Sequence, residues 1–525
     1  MTDAIWVRFQ KIAQRNADKA AIIDPASNKK VTYKELEISA KSFADCLARR
    51  SEGALIFIGE PSLEALPILL ACAAANWCFV PLSDREPQDR LLRTASQLPG
   101  PLILVSSGGF PDLEKINPEL PLKELGLCWQ IITGKERSSS ELPFLVTHSS
   151  GSTGRPKAIA FSQETKLHRT LQSIELFSVT ESDVILSPTP LHHSLGQRHF
   201  FIAMMTGATL VKAYPFSQET WIKAVTNYNV TFAIPVSTHL KILQSTILKN
   251  PAILKSFRCI VTSSAPAEPE FKRAILDSAE FEFWEIYGMS ETACATSVRY
   301  EKGDPTDSLG LAIQGTKIRI SGDNPNSSGE IEVLSDCLCD GYWGDPERWS
   351  NALTQDGYFR SGDLGRLDEK GHLIYLGRRD ESFTSAGLSV FPAEIEGTIA
   401  ELKEIIDCVA FGVPDNIFGN LVSLAFIASG DLRDQDVIKY ARAKLPKHMW
   451  PVRLFRCDEF PLLSSGKVDR RGLVEKLIRN SEIKSQKNIS MFEPTKILRD
   501  LQIEPGVENE TSMGKSQHIT AQKSE

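Results

Sequence analysis

Phe144-Leu145-Val146-Thr147-His148-Ser149-Ser150-Gly151-Ser152-Thr153-Gly154-Arg155-Pro156-Lys157 carries the densest chemical signal in the chain. Its first three residues form an apolar, strand-like run, and a loop of small hydroxylated residues and two glycines follows. Such a loop presents backbone N–H groups and hydroxyls to phosphate oxygens, and Lys157 adds a positive charge. The spacing is not that of the Walker loop, G-x-x-x-x-G-K-S/T. A solvated Ser/Gly linker would not usually abut a strand or end in Arg-Pro-Lys. Phosphate binding is the stronger reading.

Outward from this loop, short β-branched runs alternate with helical stretches. PLILVSS, DVILSPTP, ATLVKAYP, VTFAIP and RCIVTSS read as strands, with ETWIKAVTNYN and STHLKILQSTILK as helices between them. That alternation argues for parallel sheets covered by helices. Residues 1–50 read as two amphipathic helices around a strand pair. The apolar window Ala65–Leu82 is interrupted by Pro67 and Asn76, and reads as a buried helix feeding the strand Cys78–Leu82 rather than a bilayer span. After about residue 300 the strands crowd together with Gly, Asp and Asn turns, the texture of an antiparallel, barrel- or sandwich-like unit. From about residue 381 to 480 a compact α+β unit follows, with strands CVAFGV and LVSLAFIA and the helix DQDVIKYARAKL. The last 45 residues are polar and read as a disordered tail, with one short helix near Pro494–Gln502.

Composition bounds the function. The chain has 525 residues, room for several domain-sized units, and 42% hydrophobic with 24% charged residues is the balance of a soluble globular protein. A net charge of −7 excludes a basic nucleic-acid-binding surface. The ten cysteines are scattered, mostly in apolar runs, and Cys337 and Cys339 form a lone C-x-C without the second cluster a zinc site needs. The N-terminus lacks a signal-peptide pattern, so a cytoplasmic protein with reduced thiols and no integral membrane segment is expected.

Three further motifs are ambiguous singly. In Trp284-Glu285-Ile286-Tyr287-Gly288-Met289-Ser290-Glu291-Thr292, an aromatic beside a glycine can stack on a base, and a hydroxyl and a carboxylate can hold phosphate and Mg²⁺. A Tyr-Gly turn before a helix capped by Ser290 explains it equally well. Gly357-Tyr358-Phe359-Arg360-Ser361-Gly362-Asp363 reads as an Asp after a tight turn, a bidentate acceptor for a ribose diol or an ordinary Gly-Asp turn. In Ser464-Ser465-Gly466-Lys467-Val468-Asp469-Arg470 a glycine tip presents a lysine, catalytic or merely solvated.

Their order is not ambiguous. The Ser/Thr/Gly-Lys loop, Tyr-Gly-x-Ser-Glu, Ser-Gly-Asp, Gly-Arg-x-Asp and Ser-Gly-Lys-x-Asp-Arg, with Val31-Thr32-Tyr33-Lys34-Glu35-Leu36 and Val80-Pro81-Leu82 upstream, resemble the adenylate-forming superfamily over about residues 5–478. That superfamily includes acyl- and aryl-CoA synthetases, nonribosomal peptide synthetase adenylation domains and firefly luciferase. The resemblance implies an α/β fold. A large N-terminal domain of helix-covered sheets with a small β-barrel-like subdomain would span 1–377, a hinge 378–380, and a small mobile α+β domain 381–480, before the tail 481–525.

It also implies ATP-dependent activation of a carboxylic acid to an acyl-adenylate with release of pyrophosphate. The acyl group would then pass to a thiol, that of coenzyme A or, as the alternative, of a carrier protein. By the family's pattern Ser150, Gly151, Ser152, Thr153, Gly154 and Lys157 would cradle phosphates, Ser290 would contact the α-phosphate and Glu291 would hold Mg²⁺. Tyr287 and Gly288 would lie against adenine with Ser264-Ala265-Pro266 beside it, and Asp363 would grip the ribose with Arg378 nearby. Lys467 would bridge the acid and ATP, Asp380 would be the hinge and Gly387 would line the thiol channel. His193, in Pro190-Leu191-His192-His193-Ser194-Leu195-Gly196, would sit between acid pocket and thiol channel, with Ile234-Pro235-Val236 and Trp284–Gly288 lining the pocket. Amino-acid-activating members usually carry Phe-Asp where this chain has the histidines. This chain also departs from the pattern at Thr384, where a lysine is common, at Ala158 for a glycine, and at Ser290 for a threonine.

Overall fold

The computed structural model describes residues 5–49, 52–59, 63, 66–83, 101–106, 128–133, 142–149, 157–263, 269–278, 280–301, 308–322, 328–385, 387–415, 418–463, 467–483 and 489–491. Ser150–Gly154, Ser264–Pro266 and the expected short helix near Pro494–Gln502 lie outside them. The expectation of a disordered tail from residue 481 is corrected at its start: 481–483 complete the Arg470–Ile483 helix, and Ile489–Met491 pairs as a strand with Arg453–Arg456. Contacts divide the chain into two compact units. The larger comprises Met1–Ser382, Phe391–Gly397 and Glu459–Lys476, and the smaller Phe383–Val390, Thr398–Asp458 and Leu477–Glu525. Lys467 thus groups with the larger unit.

Two large sheets dominate that unit. The nine-stranded one is parallel at its centre, running through Glu282–Met289, Cys259–Thr262, Phe232–Ala233, Val184–Ser187, Thr209–Lys212 and Ala20–Asp24. Antiparallel strands close both its edges: Ala293–Tyr300 with Leu311–Ala312 on one side, Lys29–Thr32 on the other. A seven-stranded sheet repeats the plan, with Leu145–Ser149, Cys78–Leu82, Ala54–Ile58 and Pro101–Ser106 parallel between antiparallel edges. The alternation of strand and helix therefore reads correctly, and antiparallel strands supply the margins, one of them, Gly341–Tyr342, from far along the chain. The barrel-like region expected after residue 300 is an open four-stranded antiparallel sheet of Thr316–Ile320, Gly329–Ser335, Phe359–Leu367 and Leu373–Arg378.

The Leu66–Ala75 helix is buried from Leu66 through Ala73, which explains its lack of polar periodicity. Pro67 sits in its first turn, where no intrahelical N–H is needed. Among the described residues no helix is long and apolar enough to cross a membrane. The Val31–Leu36 motif resolves into two devices. Thr32 caps the Tyr33–Leu47 helix in a reciprocal capping box with Glu35. Tyr33 is fully buried, and its hydroxyl donates to the carbonyls of Ala203 (2.9 Å) and Ala208 (2.6 Å), tying that helix to the end of the Ser194–Thr206 helix.

The smaller unit carries a four-stranded sheet of Ile405–Asp415, Gly419–Ala428, Arg453–Arg456 and Ile489–Met491, with the Asp434–Lys444 helix. Gly387 lies in the turn between Phe383–Ser385 and Leu388–Val390, at φ +78°. The Asn420 side chain donates to the Thr384 carbonyl at 3.0 Å.

Candidate active site

The Glu282–Met289 strand turns back as Ala293–Tyr300, so Ser290, Glu291 and Thr292 form the tip of a hairpin. No helix follows Ser290, and the helix-cap reading of this motif is thereby corrected. Gly288 is required by close approach: a Cβ there would lie 1.8 Å from the Ala293 carbonyl oxygen. Beneath the hairpin, Lys272 and Glu285 form a fully buried ion pair at 2.5 Å, and the Tyr300 hydroxyl bonds both partners.

The tip is pinned from the Gln163–Leu176 helix. Buried Arg169 donates to the carbonyls of Ser290 (2.8 Å), Glu291 (2.5 Å) and Cys337 (2.8 Å). Burial lowers the Arg169 pKa to about 10, still a cation at neutral pH. The Glu291 carboxylate accepts from Lys157 Nζ at 3.1 Å and from the Tyr342 hydroxyl at 2.9 Å, both on Oε1. Oε2 takes no hydrogen bond from any described residue. Lys157 opens the Lys157–Phe161 strand and also lies 5.1 Å from the Tyr342 ring centroid. Burial, and after it the Glu291 charge, raise the Tyr342 pKa.

Asp363 lies inside the Phe359–Leu367 strand rather than after a tight turn, as the sequence suggested, with Arg378 as its cross-strand partner. Arg378 Nη1 donates to Oδ1 at 2.9 Å, and the buried Tyr287 hydroxyl to Oδ2 at 2.7 Å. Burial nevertheless raises the Asp363 pKa, against the lowering influence of Arg378. Arg378 Nε also reaches Asp380 at 3.2 Å. Two motifs 76 residues apart are thus joined by one side-chain bond.

Lys467 sits on a hairpin closed by the Leu462–Val468 bridge and the Leu463 N–H to Lys467 carbonyl bond of 2.8 Å. Next to it Asp469 accepts the Gly472 N–H, and Arg470 forks onto Glu396 at 2.7 and 2.5 Å. Solvent reaches the Lys467 side chain, yet the protein crowded around it lowers its pKa, partly opposed by Asp363.

His193 precedes the Ser194–Thr206 helix, where Gly196 packs so tightly that a Cβ would fall 2.1 Å from the Pro190 carbonyl oxygen. The His193 and His192 ring centroids are 4.5 Å apart. Burial, then the charges of His192 and Lys467, hold the His193 pKa at about 3, so its imidazole is neutral. Buried polar atoms cluster where parallel strands end: His199 Nε2, His239 Nδ1, Thr262 Oγ1 and Ser263 Oγ have no hydrogen-bond partner among the described residues. In open α/β sheets that edge is where ligands bind. The sequence reading missed these groups, along with Arg169, Tyr342 and the Lys272–Glu285 pair. Arg169 stands among polar helix neighbours (Thr165, Lys166, His168, Thr170, Gln172 and Ser173), so nothing in the local sequence marks it.

Residues 9–343 match the AMP-binding enzyme family, and residues 394–467 the C-terminal domain of AMP-binding enzymes. The chain belongs to the AMP-binding enzyme family. Among relatives of this AMP-binding enzyme, the indoleacetate–CoA ligase of Aromatoleum aromaticum is 27% identical over 84% of this chain and 91% of its own. The 2-succinylbenzoate–CoA ligase of Bacillus velezensis is 25% identical over 90% and 97%. Among solved structures, ATP-bound MatB from Rhodopseudomonas palustris superposes with a TM-score of 0.76 at 22% identity, covering 91% of this chain and 99% of that one. The Bacillus subtilis o-succinylbenzoate CoA synthetase MenE, in complex with ATP and magnesium, gives 0.76 at 22%, covering 90% and 99%. These likenesses establish the α/β adenylate-forming fold.

Proposed function

We propose that the chain is an AMP-forming acid–CoA ligase. A carboxylate oxygen attacks the α-phosphorus of ATP and pyrophosphate leaves. The coenzyme A thiolate then attacks the acyl carbon and AMP leaves. The observation that carries this reading is direct bonding between motifs far apart in sequence, Lys157 with Glu291 and Tyr287 with Asp363 and Arg378, inside one compact unit. The named CoA ligases among the relatives support the acceptor.

Lys157, with Ser150, Gly151, Ser152, Thr153 and Gly154 before it, holds the phosphates, and Ser290 contacts the α-phosphate. Asp363 accepts from the ribose hydroxyls, with Arg378 and Tyr287 fixing its orientation; Tyr287, Gly288 and Ser264-Ala265-Pro266 border the base. Glu291 fits magnesium, because one carboxylate with a free oxygen is the usual protein share of a site completed by phosphates and water. Bound magnesium neutralises phosphate charge as a Lewis acid. Lys467 brings its ammonium to the two anionic reactants, which is proximity plus charge stabilisation. Neutral His193 borders the acid pocket without adding a third charge. The unpartnered groups at His199, His239, Thr262 and Ser263 suit an acid that carries a hydrogen-bonding group. The segment after Asp380 turns about that residue between the two half-reactions and brings Gly387 to the thiol path. Nine of the ten cysteines are free thiols, which suits a cytoplasmic setting.

The test is acid-dependent exchange of pyrophosphate into ATP over a panel of acids, followed by AMP release with coenzyme A or a carrier protein. Release that rises with coenzyme A supports the ligase. Equal release with and without it contradicts the assignment.

A further inference from the structure

Arg470 stands three residues after Lys467 and opens the Arg470–Ile483 helix. Asp469 caps that helix by accepting the Gly472 N–H at 2.9 Å, and the Leu473 N–H donates to the Asp469 carbonyl at 2.9 Å. A cation in the first turn of a helix opposes the helix dipole, so helix stability is not what Arg470 supplies. Its half-buried guanidinium instead forks onto Glu396 at 2.7 and 2.5 Å. Glu396 lies on the Pro392–Ile399 helix, which the fully buried Ile395 and Ile399 seat firmly. Arg470 Nε also lies 3.8 Å from Glu381, the residue after the proposed hinge Asp380. Glu381, Glu396, Lys467 and Arg470 all belong to the larger unit.

On the near side of the hinge, Arg378 donates to Asp363 at 2.9 Å and to Asp380 at 3.2 Å. Charges of alternating sign thus lead from Asp363 through Arg378 to Asp380, and from Glu381 through Arg470 to the base of the Lys467 hairpin. Lys467 itself feels Asp363, Arg378 and Glu381. Burial works against charge on Arg470, but Glu396 and then Glu381 outweigh it and raise its pKa, so it stays a cation. Without that cation Glu381 would be left with Glu396 and Asp380, two like charges beside the hinge. A planar fork on a carboxylate fixes direction as well as distance, which a single ammonium does not. We propose that Arg470 is the positioning residue that ties the Lys467 hairpin to the hinge, so that a turn at Asp380 carries the lysine with it, a role that rests on the acid–CoA ligase reading. Gly387 follows the hinge directly in sequence and does not depend on this tie.

The experiment is a kinetic cycle on the full chain with the acid that gives the fastest pyrophosphate exchange in the panel. Exchange reports the half-reaction that uses Lys467. Thioester formation from the supplied acyl-adenylate and coenzyme A reports the half-reaction that does not. Arg470→Gln should lower exchange about tenfold or more, because a small misplacement of the lysine is costly, with the KM for ATP and the thioester rate each within about twofold. In the Lys467→Ala background the same substitution should change exchange by less than about twofold, since its effect passes through that lysine. Arg470→Lys keeps the charge, loses the fork and should fall between wild type and Arg470→Gln. Glu396→Gln should reproduce the exchange defect, and it carries the test where Arg470→Gln fails to fold. Exchange near the wild-type rate in Arg470→Gln, equal losses in both half-reactions, or an undiminished effect in the Lys467→Ala background overturns the role. Acid-dependent exchange by the wild type reports the ligase reading independently, which separates failure of the tie from failure of the proposed function.

Discussion

Two hairpins carry the charges on which the proposed chemistry depends, and they are built in opposite ways. The Glu291 hairpin is over-determined: Arg169 pins two carbonyls of its tip, Lys157 and Tyr342 hold its carboxylate, and the Lys272–Glu285 pair lies buried under its strand. Among the described residues the Lys467 hairpin is anchored at its base, by the Asp469 N–H donating to the Pro461 carbonyl and by Arg470 on Glu396, and its lysine is open to solvent. A group that meets a nucleotide in one geometry gains from preorganisation. On the proposed mechanism Lys467 engages reactants that are already bound, and a group with that task cannot be locked in advance.

The comparison breaks first at Lys272. Lys272→Met strands the buried Glu285 carboxylate, so chemical denaturation should show a loss of about 3–5 kcal/mol. Lys467→Ala, at an exposed position, should change stability by no more than about 0.5 kcal/mol in the same measurement. Similar losses in the two variants would erase the distinction. Tyr287→Phe removes one donor from buried Asp363, and a cost of about 1–3 kcal/mol should accompany a raised KM for ATP. An unchanged KM would detach Tyr287 from nucleotide binding. Farther from both hairpins, Thr32→Ala breaks the capping box, and thermal melts should register a loss of about 1 kcal/mol with exchange kinetics intact. The smallest effect concerns pH. His193 titrates near 3 in the folded chain, so it is neutral from pH 5 to 8, and the rate profile of His193→Asn should keep the wild-type shape across that range. An inflection near 6.5 that vanishes in the variant would show a charged working form.

What the sequence revealed follows from how local each signal is. Strand–helix alternation and the Val31–Leu36 cap depend on neighbours a few residues apart, and both are legible. Asp363 was recognised, but as a turn residue, because a Gly-Asp pair looks alike in a turn and inside a strand. Arg169 was invisible because its three carbonyl partners lie more than a hundred residues away and carry no side-chain signature. The groups proposed to face the acid were hidden for the same reason: His199 and His239 lie on two helices and Thr262 and Ser263 at the end of a strand, each far from the others' elements in sequence.

The central claim is that an ammonium on an exposed hairpin serves a nucleotide held by a rigid one. Acid-dependent pyrophosphate exchange, measured beside ATP-analogue affinity in wild type and Lys467→Ala, tests it most directly. The account predicts affinity within about twofold of wild type and exchange lower by about 10²–10³-fold. Exchange near the wild-type rate in that variant would contradict it.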